Sequence, residues 1–196
     1  MTKENQKIIV IEREVLFGND LFEGFKQYHE VDYESRILRN LKIMKRGDVE
    51  NNPNYKQPIG YTIVINSNLG KVFAYQRSSK DKEYSEKRLQ GKWSLGFGGH
   101  IEPLDSKDGN SIRESILREV TQEELEIFGY TEYPAVLGYI NDDSDSVGKV
   151  HFGILYLINT NATKVEPKDS EIAEIRLKTI NELEKICVSP DYDIEN

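Results

Sequence analysis

The sequence predicts an α/β (α+β) protein, with a mixed β-sheet held between helices and an N-terminal extension in front of it. Three observations carry that prediction. Short apolar runs with strand alternation lie on both sides of one long amphipathic stretch at 111–128. A second amphipathic stretch closes the chain at 170–186, and a polar interruption at 47–54 sets the first fifty-odd residues apart. Strands, a central helix, more strands and a closing helix bury their apolar faces most simply as a mixed sheet between helices.

Taken in order, Lys7 to Val15 alternates around Glu12-Arg13-Glu14 and reads as a short strand or hairpin. Leu21, Phe22, Phe25 and Tyr28 recur at helical spacing, and Ile37, Leu38, Leu41 and Met44 suggest a second helix. The Asn51-Asn52-Pro53-Asn54 stretch breaks the pattern, so residues 1–55 are expected as an extension packed on a main domain of 56–196. Tyr61–Ile65 and Lys71–Tyr75 flank Asn66–Gly70 as a hairpin with a longer loop. Residues 78–90 are highly charged and read as an exposed excursion, after which Lys92–Phe97 is a short apolar run ending in glycines. Ser111 and Glu114 form a capping box that starts a helix at Ile112, and Gly129 is placed to end it. Ala135–Ile140 and Val150–Ile158 are two further strands joined by the acidic loop 141–148. The tail from Ser170 to Ile186 is expected as one or two helices.

With 196 residues and 37% apolar side chains, the chain can bury a sizeable core. The net charge of −8 repels a polyanion, which argues against binding long nucleic acid. A small phosphorylated substrate remains compatible, because a divalent cation bridges two sets of negative charge. Cys187 is the only cysteine, so no intrachain disulfide forms, as expected in a reducing compartment. No apolar run approaches the roughly 20 residues of a spanning helix. The expectation is a cytoplasmic protein with no membrane partner.

The residues that carry chemistry lie in two segments, Gly98-Gly99-His100-Ile101-Glu102-Pro103-Leu104-Asp105 and Arg118-Glu119-Val120-Thr121-Gln122-Glu123-Glu124. Paired glycines let backbone approach a ligand where a side chain would obstruct. At about 100° per residue, Ile116, Leu117 and Val120 share one helix face, expected to pack on the sheet. Ser115, Glu119, Gln122, Glu123 and Glu126 fall on another sector, which would present oxygen ligands toward the glycine turn. Glu119 and Glu123 are neighbours at (i, i+4) and repel each other without a cation. Mg²⁺ prefers such hard oxygen donors and completes its shell with substrate phosphates. Arg77, at a strand end, Arg88 and Lys92 are candidates to grip phosphate; His100 is a substrate-side candidate, and Glu102 a further donor. His151, in an apolar strand, is expected to be buried and hydrogen-bonded.

These segments resemble the box of the Nudix (MutT-like) hydrolases: Gly, five residues, Glu, seven residues, then Arg-Glu-apolar-x-Glu-Glu-x-Gly. Starting from Gly99 the acid is Asp105, and twelve residues rather than seven separate it from Arg118, the excess fitting a loop at Ser106–Asn110. Gln122 stands where the family has a Glu, and Leu125 where it has the Gly. Glu124 would align only if the helix carried an extra residue as a bulge. The stretches Tyr55–Tyr61, Arg88–Ile101 and Asn141–Gly153 resemble a bacterial subgroup of Nudix phosphoesterases.

The resemblance implies an α/β/α sandwich and Mg²⁺, or Mn²⁺, as cofactor. Metal would be held by Glu119, Glu123, Gln122 and Glu102, with catalysis by Glu119, Glu123 and Arg118. Arg118 would orient the carboxylates and pair with Asp105, and a further acid from outside the helix (Asp142, Asp143, Glu171 or Glu174) would complete the site. Gly98, Gly99, His100, Arg77 and Lys92 would bind substrate. The implied reaction is hydrolysis of a phosphoanhydride in a nucleoside diphosphate linked to another moiety, by a chain that is a monomer or a homodimer. Gln122 and Asp105 keep open an alternative, a catalytically weak nucleotide-binding or sensor protein. An isopentenyl diphosphate isomerase-like reading needs an active-site Cys, and Cys187 lies far from the box.

Overall fold

In the computed structural model the chain is described over residues 3–78, 91–108 and 110–188. The charged stretch expected as an excursion, with Arg88, lies outside the described residues apart from Ser78, which is buried. From the N-terminus come β1 (Lys7–Glu12), α1 (Arg13–Phe17), β2 (Gly24–Gln27), α2 (Tyr33–Asn40), β3 (Lys42–Lys45) and α3 (Arg46–Val49). β4 (Tyr55–Asn66) and β5 (Lys71–Arg77) form the expected hairpin, followed by the short β6 (Trp93–Ser94) and β7 (Gly96–Phe97). A 3₁₀ turn over Pro103–Asp108 leads into α4 (Ser111–Leu117), which continues as a π helix over Arg118–Glu124. Then come β8 (Leu125–Ile127), β9 (Ala135–Asn141), β10 (His151–Asn159), β11 (Val165–Pro167), β12 (Ile172–Thr179) and α5 (Ile180–Val188).

Four sequence expectations are corrected here. The helical spacing from Leu21 to Tyr28 belongs to a strand, because Gly24 turns the chain at φ +83 and Phe25 and Gln27 pair with Ile140 and Gly138. Leu21, Phe25 and Tyr28 stay exposed, so their periodicity encodes no buried helix face. The second helix stops at Asn40, since Leu41 is extended and Lys42–Lys45 pair with β1. The central helix starts one residue early, with Asn110 Oδ1 accepting from Arg113 N at 3.1 Å, and it ends at Glu124. Leu125–Ile127 there pair with β11, so Gly129 caps no helix. Finally, the first half of the closing stretch is β12, with Ile175 opposite Tyr75 and Leu177 opposite Phe73. Thr179 and Glu182 cap each other's backbone N–H groups, a reciprocal box that fixes where the strand ends and α5 begins.

By packing, the chain divides into two compact units, one of residues 1–61, 98–117 and 135–156, the other of 62–97, 118–134 and 157–196. In the first unit the strand order is β4-β10-β9-β2, with β1 on β4 and β3 on β1. Its core holds Ile8–Ile11 of β1 and a ring cluster of Phe17, Phe22, Tyr33, Tyr139 and Phe152, in which Tyr33 and Tyr139 meet edge-to-face at 4.9 Å. Such aromatic pairs add about 0.5–1.5 kcal/mol to their burial. In the second unit the order is β12-β5-β4-β10, with β6 on β5 and β7 on β4. There Ala74, Trp93 and Ile186 form a core cluster with Leu95 and Leu183, and Tyr75 Oη donates to Gly96 O at 3.0 Å. Among the described residues no helix is long and apolar enough to cross a membrane.

Candidate active site

The glycine turn belongs to the first unit. Gly98 has φ +147, and a Cβ there would lie 1.8 Å from the carbonyl oxygen of Gly60, so this position excludes every side chain. Gly60 in turn leaves only enough room for Ile116, whose Cγ1 would come within 2.7 Å of an added Cβ. Glycine on both sides therefore lets β4, the turn and α4 pack backbone-close. After the turn, Ile101 O accepts from Ile9 N at 2.8 Å, and Asp105 Oδ2 accepts from Glu102 N, also at 2.8 Å. Asp105, where the box has its first acid, is buried and helps hold the turn's shape. Gln6 Nε2 donates to Glu102 Oε1 at 3.1 Å.

His100 faces inward. Its Nε2 lies 2.9 Å from Gln57 Oε1, and its ring stands edge-on to His151 at 5.4 Å. Burial, then the positive groups Arg46, His151 and Lys3, pushes its pKa down to about 3, so the ring is neutral and donates Nε2–H to the amide oxygen. His151 is hydrogen-bonded as expected but only half-buried. Its Nδ1 bonds Val147 O at 2.8 Å, and burial lowers its pKa.

The carboxylate helix lies in the second unit. Arg118 is buried, and one of its nitrogens, Nη1, donates to both Glu119 Oε1 at 2.9 Å and Glu123 Oε1 at 2.8 Å. The Glu119 side chain is 14% exposed and that of Glu123 55%. One guanidinium thus gathers two carboxylates that would otherwise repel. The π winding explains the odd spacing of the motif. With i→i+5 hydrogen bonding it takes up about one extra residue per turn relative to an α-helix, the condition under which Glu124 aligns with the box. Counted past that residue, Arg118-Glu119-Val120 is followed by Glu123-Glu124 where the box has its Glu pair.

The metal set expected from the sequence is not gathered as one cluster. Among the described residues no three His, Cys, Asp or Glu side chains come close enough to hold a cation. Two of the outside acids have other work: Asp143 pairs with Arg13 and Lys56, and Asp142 Oδ1 accepts from Ser144 N at 2.8 Å in an Asx turn. Of the other two, Glu171 lies 3.9 Å from Arg77, and Glu174 pairs with Arg176. Arg77 also lies over the Tyr75 ring at 5.1 Å, while its N–H donates to Lys92 O at 2.9 Å, so β5 and the residue before β6 are stitched together there.

The most constrained charged residue in the first unit is one that sequence reasoning passed over. Lys56 is fully buried, and its Nζ donates to Asp143 Oδ1 at 2.8 Å, Gly148 O at 2.7 Å and His151 O at 3.0 Å. Burial lowers its pKa while Asp143 opposes that shift. Asp143 is held well below the usual carboxylate range by its hydrogen bonds from Arg13, with Lys56 adding to the effect. A signal was available: Lys56 shares strand parity with Thr62 and Val64, the inward-facing side of β4.

No family model matches the chain. Protein YmaB of Bacillus subtilis (strain 168) is 33% identical over 193 residues, covering 94% of this chain and 91% of that protein. Among solved structures, Tm1382, provisionally assigned as a Nudix hydrolase, aligns with a TM-score of 0.76 at 24% identity, over 95% of this chain and 93% of that one. The NUDIX domain of Shewanella oneidensis NrtR, solved with ADP ribose, aligns with a TM-score of 0.50 at 14% identity, over 66% and 77%.

Proposed function

We propose, since this chain belongs to the family of Protein YmaB and carries the Nudix fold, that it hydrolyses the phosphoanhydride of a nucleoside diphosphate linked to another moiety, with Mg²⁺ or Mn²⁺ as cofactor. The observation that carries this reading is Arg118 Nη1 holding Glu119 and Glu123 by one oxygen each. Mg²⁺ is usually bound through one or two carboxylates plus substrate phosphates. A pair of convergent carboxylates, one of them open to solvent, suits that mode without a ready-made protein cage. Glu119, Glu123 and Glu124 would hold the cation. When bound, the cation offsets phosphate charge and acidifies a coordinated water.

The chain's own residues do the rest. Arg118 keeps the two carboxylates in place, and Glu123, the more exposed, takes the proton of the attacking water. Arg77 and Lys92, which belong to the same unit as the carboxylates, would counter the charge of the diphosphate. His100, neutral and turned toward Gln57, shapes the turn rather than contributing a positive charge. The nucleotide-linked substrate class rests on the ADP ribose bound by the NrtR domain and on the likeness of the box.

The test is phosphate release from nucleotide sugars, dinucleoside polyphosphates, ADP-ribose and nucleoside triphosphates, with and without Mg²⁺, beside Glu119→Gln and Glu123→Gln. Turnover that needs Mg²⁺ and disappears in both variants supports hydrolysis. A second reading, a nucleotide-binding or sensor protein, draws on the lack of a gathered three-ligand cluster among the described residues. Ligand-induced thermal stabilisation with no turnover across the panel would select it.

A further inference from the structure

We propose that Lys168 is a positioning residue for the carboxylate helix: it holds the end of the π winding that keeps Glu119 and Glu123 on Arg118. The inference rests on the hydrolase reading of those two carboxylates, and every residue it uses lies in the second unit. A helix leaves its last carbonyls without a partner inside the helix. Here one residue takes two of them. The Lys168 N–H donates to Glu124 O at 2.8 Å, and its Nζ donates to Thr121 O, also at 2.8 Å. Both carbonyls belong to Arg118–Glu124, the segment that winds as a π helix before the chain enters β8.

The pairing of β8 with β11 brings Lys168 to this point. The two strands run antiparallel with Pro167 opposite Leu125, so the residue after Pro167 meets Glu124. Proline has no N–H to give, which makes Lys168 the first backbone donor beyond that pair. Its side chain then reaches back to Thr121. An ammonium suits the position twice over, as a hydrogen-bond donor and as a positive charge at the carbonyl end of a helix. The contact borders a cleft of about 270 Å³ lined by Glu126, Ile127, Gly129 and Thr131, so the winding faces open space on that side. A π winding is rare, and Glu123 lies between the two tethered carbonyls. Releasing them therefore frees the turn that carries Glu123. The side-chain contact joins residues 47 positions apart, beyond the reach of any sequence motif.

The experiment compares the full chain with Lys168→Met and Lys168→Arg, substitutions that leave the core untouched because Lys168 is exposed. Two quantities are measured: amide hydrogen exchange over residues 118–127 without substrate, and kcat and KM on the nucleotide panel with Mg²⁺. Lys168→Met should speed exchange in that segment roughly fivefold, as expected when one hydrogen bond is lost. It should also lower kcat about tenfold with KM near the parent value, the mark of displaced reacting groups rather than lost binding. Lys168→Arg keeps a cationic donor and should recover both. Parent-like exchange and kcat in Lys168→Met overturn the inference. So does a fall in kcat without faster exchange, which makes Lys168 a substrate contact. Faster exchange with an unchanged kcat overturns it too, leaving only a tether for the fold. A parent chain that turns over nothing refutes the hydrolase reading by itself. Exchange alone then decides whether Lys168 holds the winding, faster in Lys168→Met and recovered in Lys168→Arg if it does, parent-like in both if it does not.

Discussion

Two charge clusters in this protein use the same ingredients to opposite ends. In the first unit, Lys56 is enclosed and all three of its ammonium donors are taken, while Asp143 is shared between Lys56 and Arg13. In the second, a buried Arg118 holds Glu119 and Glu123 by a single nitrogen, and Glu123 is more than half open to solvent. A charge removed from water is tolerated when every hydrogen bond it needs is made, and it then resists rearrangement. The Arg118 cluster sits on a π winding of the kind often found at functional sites. An ion cluster that builds the fold is closed and saturated. One available for chemistry keeps an oxygen within reach of solvent.

Substitutions can break this contrast from either side. The largest expected effect is on rate. Glu123→Gln should lower turnover by about 10²–10⁴-fold, the usual worth of a positioned general base, and Glu119→Gln should remove Mg²⁺-dependent turnover, each with a thermal midpoint close to that of the parent. Next is Asp143→Ala, which strands Lys56 in the interior and should cost about 3–5 kcal/mol of unfolding free energy, measured by denaturant titration. Turnover per folded molecule should stay the same; a rate loss as severe as that of Glu119→Gln would erase the distinction between the clusters.

Acid should withdraw part of the same contribution. Asp143 has a lowered folded pKa, because Arg13 and then Lys56 favour its ionised form. Its stabilisation is complete above the unfolded value near pH 4 and drains away as pH falls from there toward the folded value. Thermal midpoints against pH should show an acid limb that is shallower in Asp143→Asn than in the parent. The smallest effect sharpens the π-helix account. Gln122→Glu should raise turnover at limiting Mg²⁺ by only about twofold to fivefold, as an exposed charge contact is worth roughly 0.5–1 kcal/mol. Deleting Gln122 should retain Mg²⁺-dependent turnover, because Glu123 and Glu124 then follow Glu119 in regular spacing. A larger gain from Gln122→Glu than from the deletion would place position 122 in the site after all.

Much of the architecture was legible wherever one residue pattern had one explanation. The β4–β5 hairpin, β9, β10 and the buried faces of Ile116 and Val120 followed from periodicity alone. Errors arose where tertiary pairing overrode local spacing. Phe25 and Tyr28 kept helical intervals on an exposed edge strand, and Ile172–Thr179 could be read as helix until its register with β5 was known. The glycine turn, Arg118, Glu119 and Glu123 were legible as a motif. The extra residue in the helix was legible only as a condition for Glu124 to align, since no periodicity reveals a π winding. The pairing of Lys56 with Asp143 escaped for another reason, the contact spanning 87 residues.

The buried ammonium of Lys56 also sets a timetable for biosynthesis. One of its acceptors, the carbonyl of His151, is translated 95 residues later. At about 5–20 residues per second, roughly 5–20 seconds pass before that partner has even been joined to the nascent chain. Over most of that interval the aromatic rings of Phe17, Phe22 and Tyr33 have been synthesised without Tyr139 and Phe152, against which they finally pack. The early third of this chain is thus a natural client for whatever shields sticky segments in the cell, and slowed translation between codons 61 and 156 should raise aggregation more than the same delay placed after codon 156.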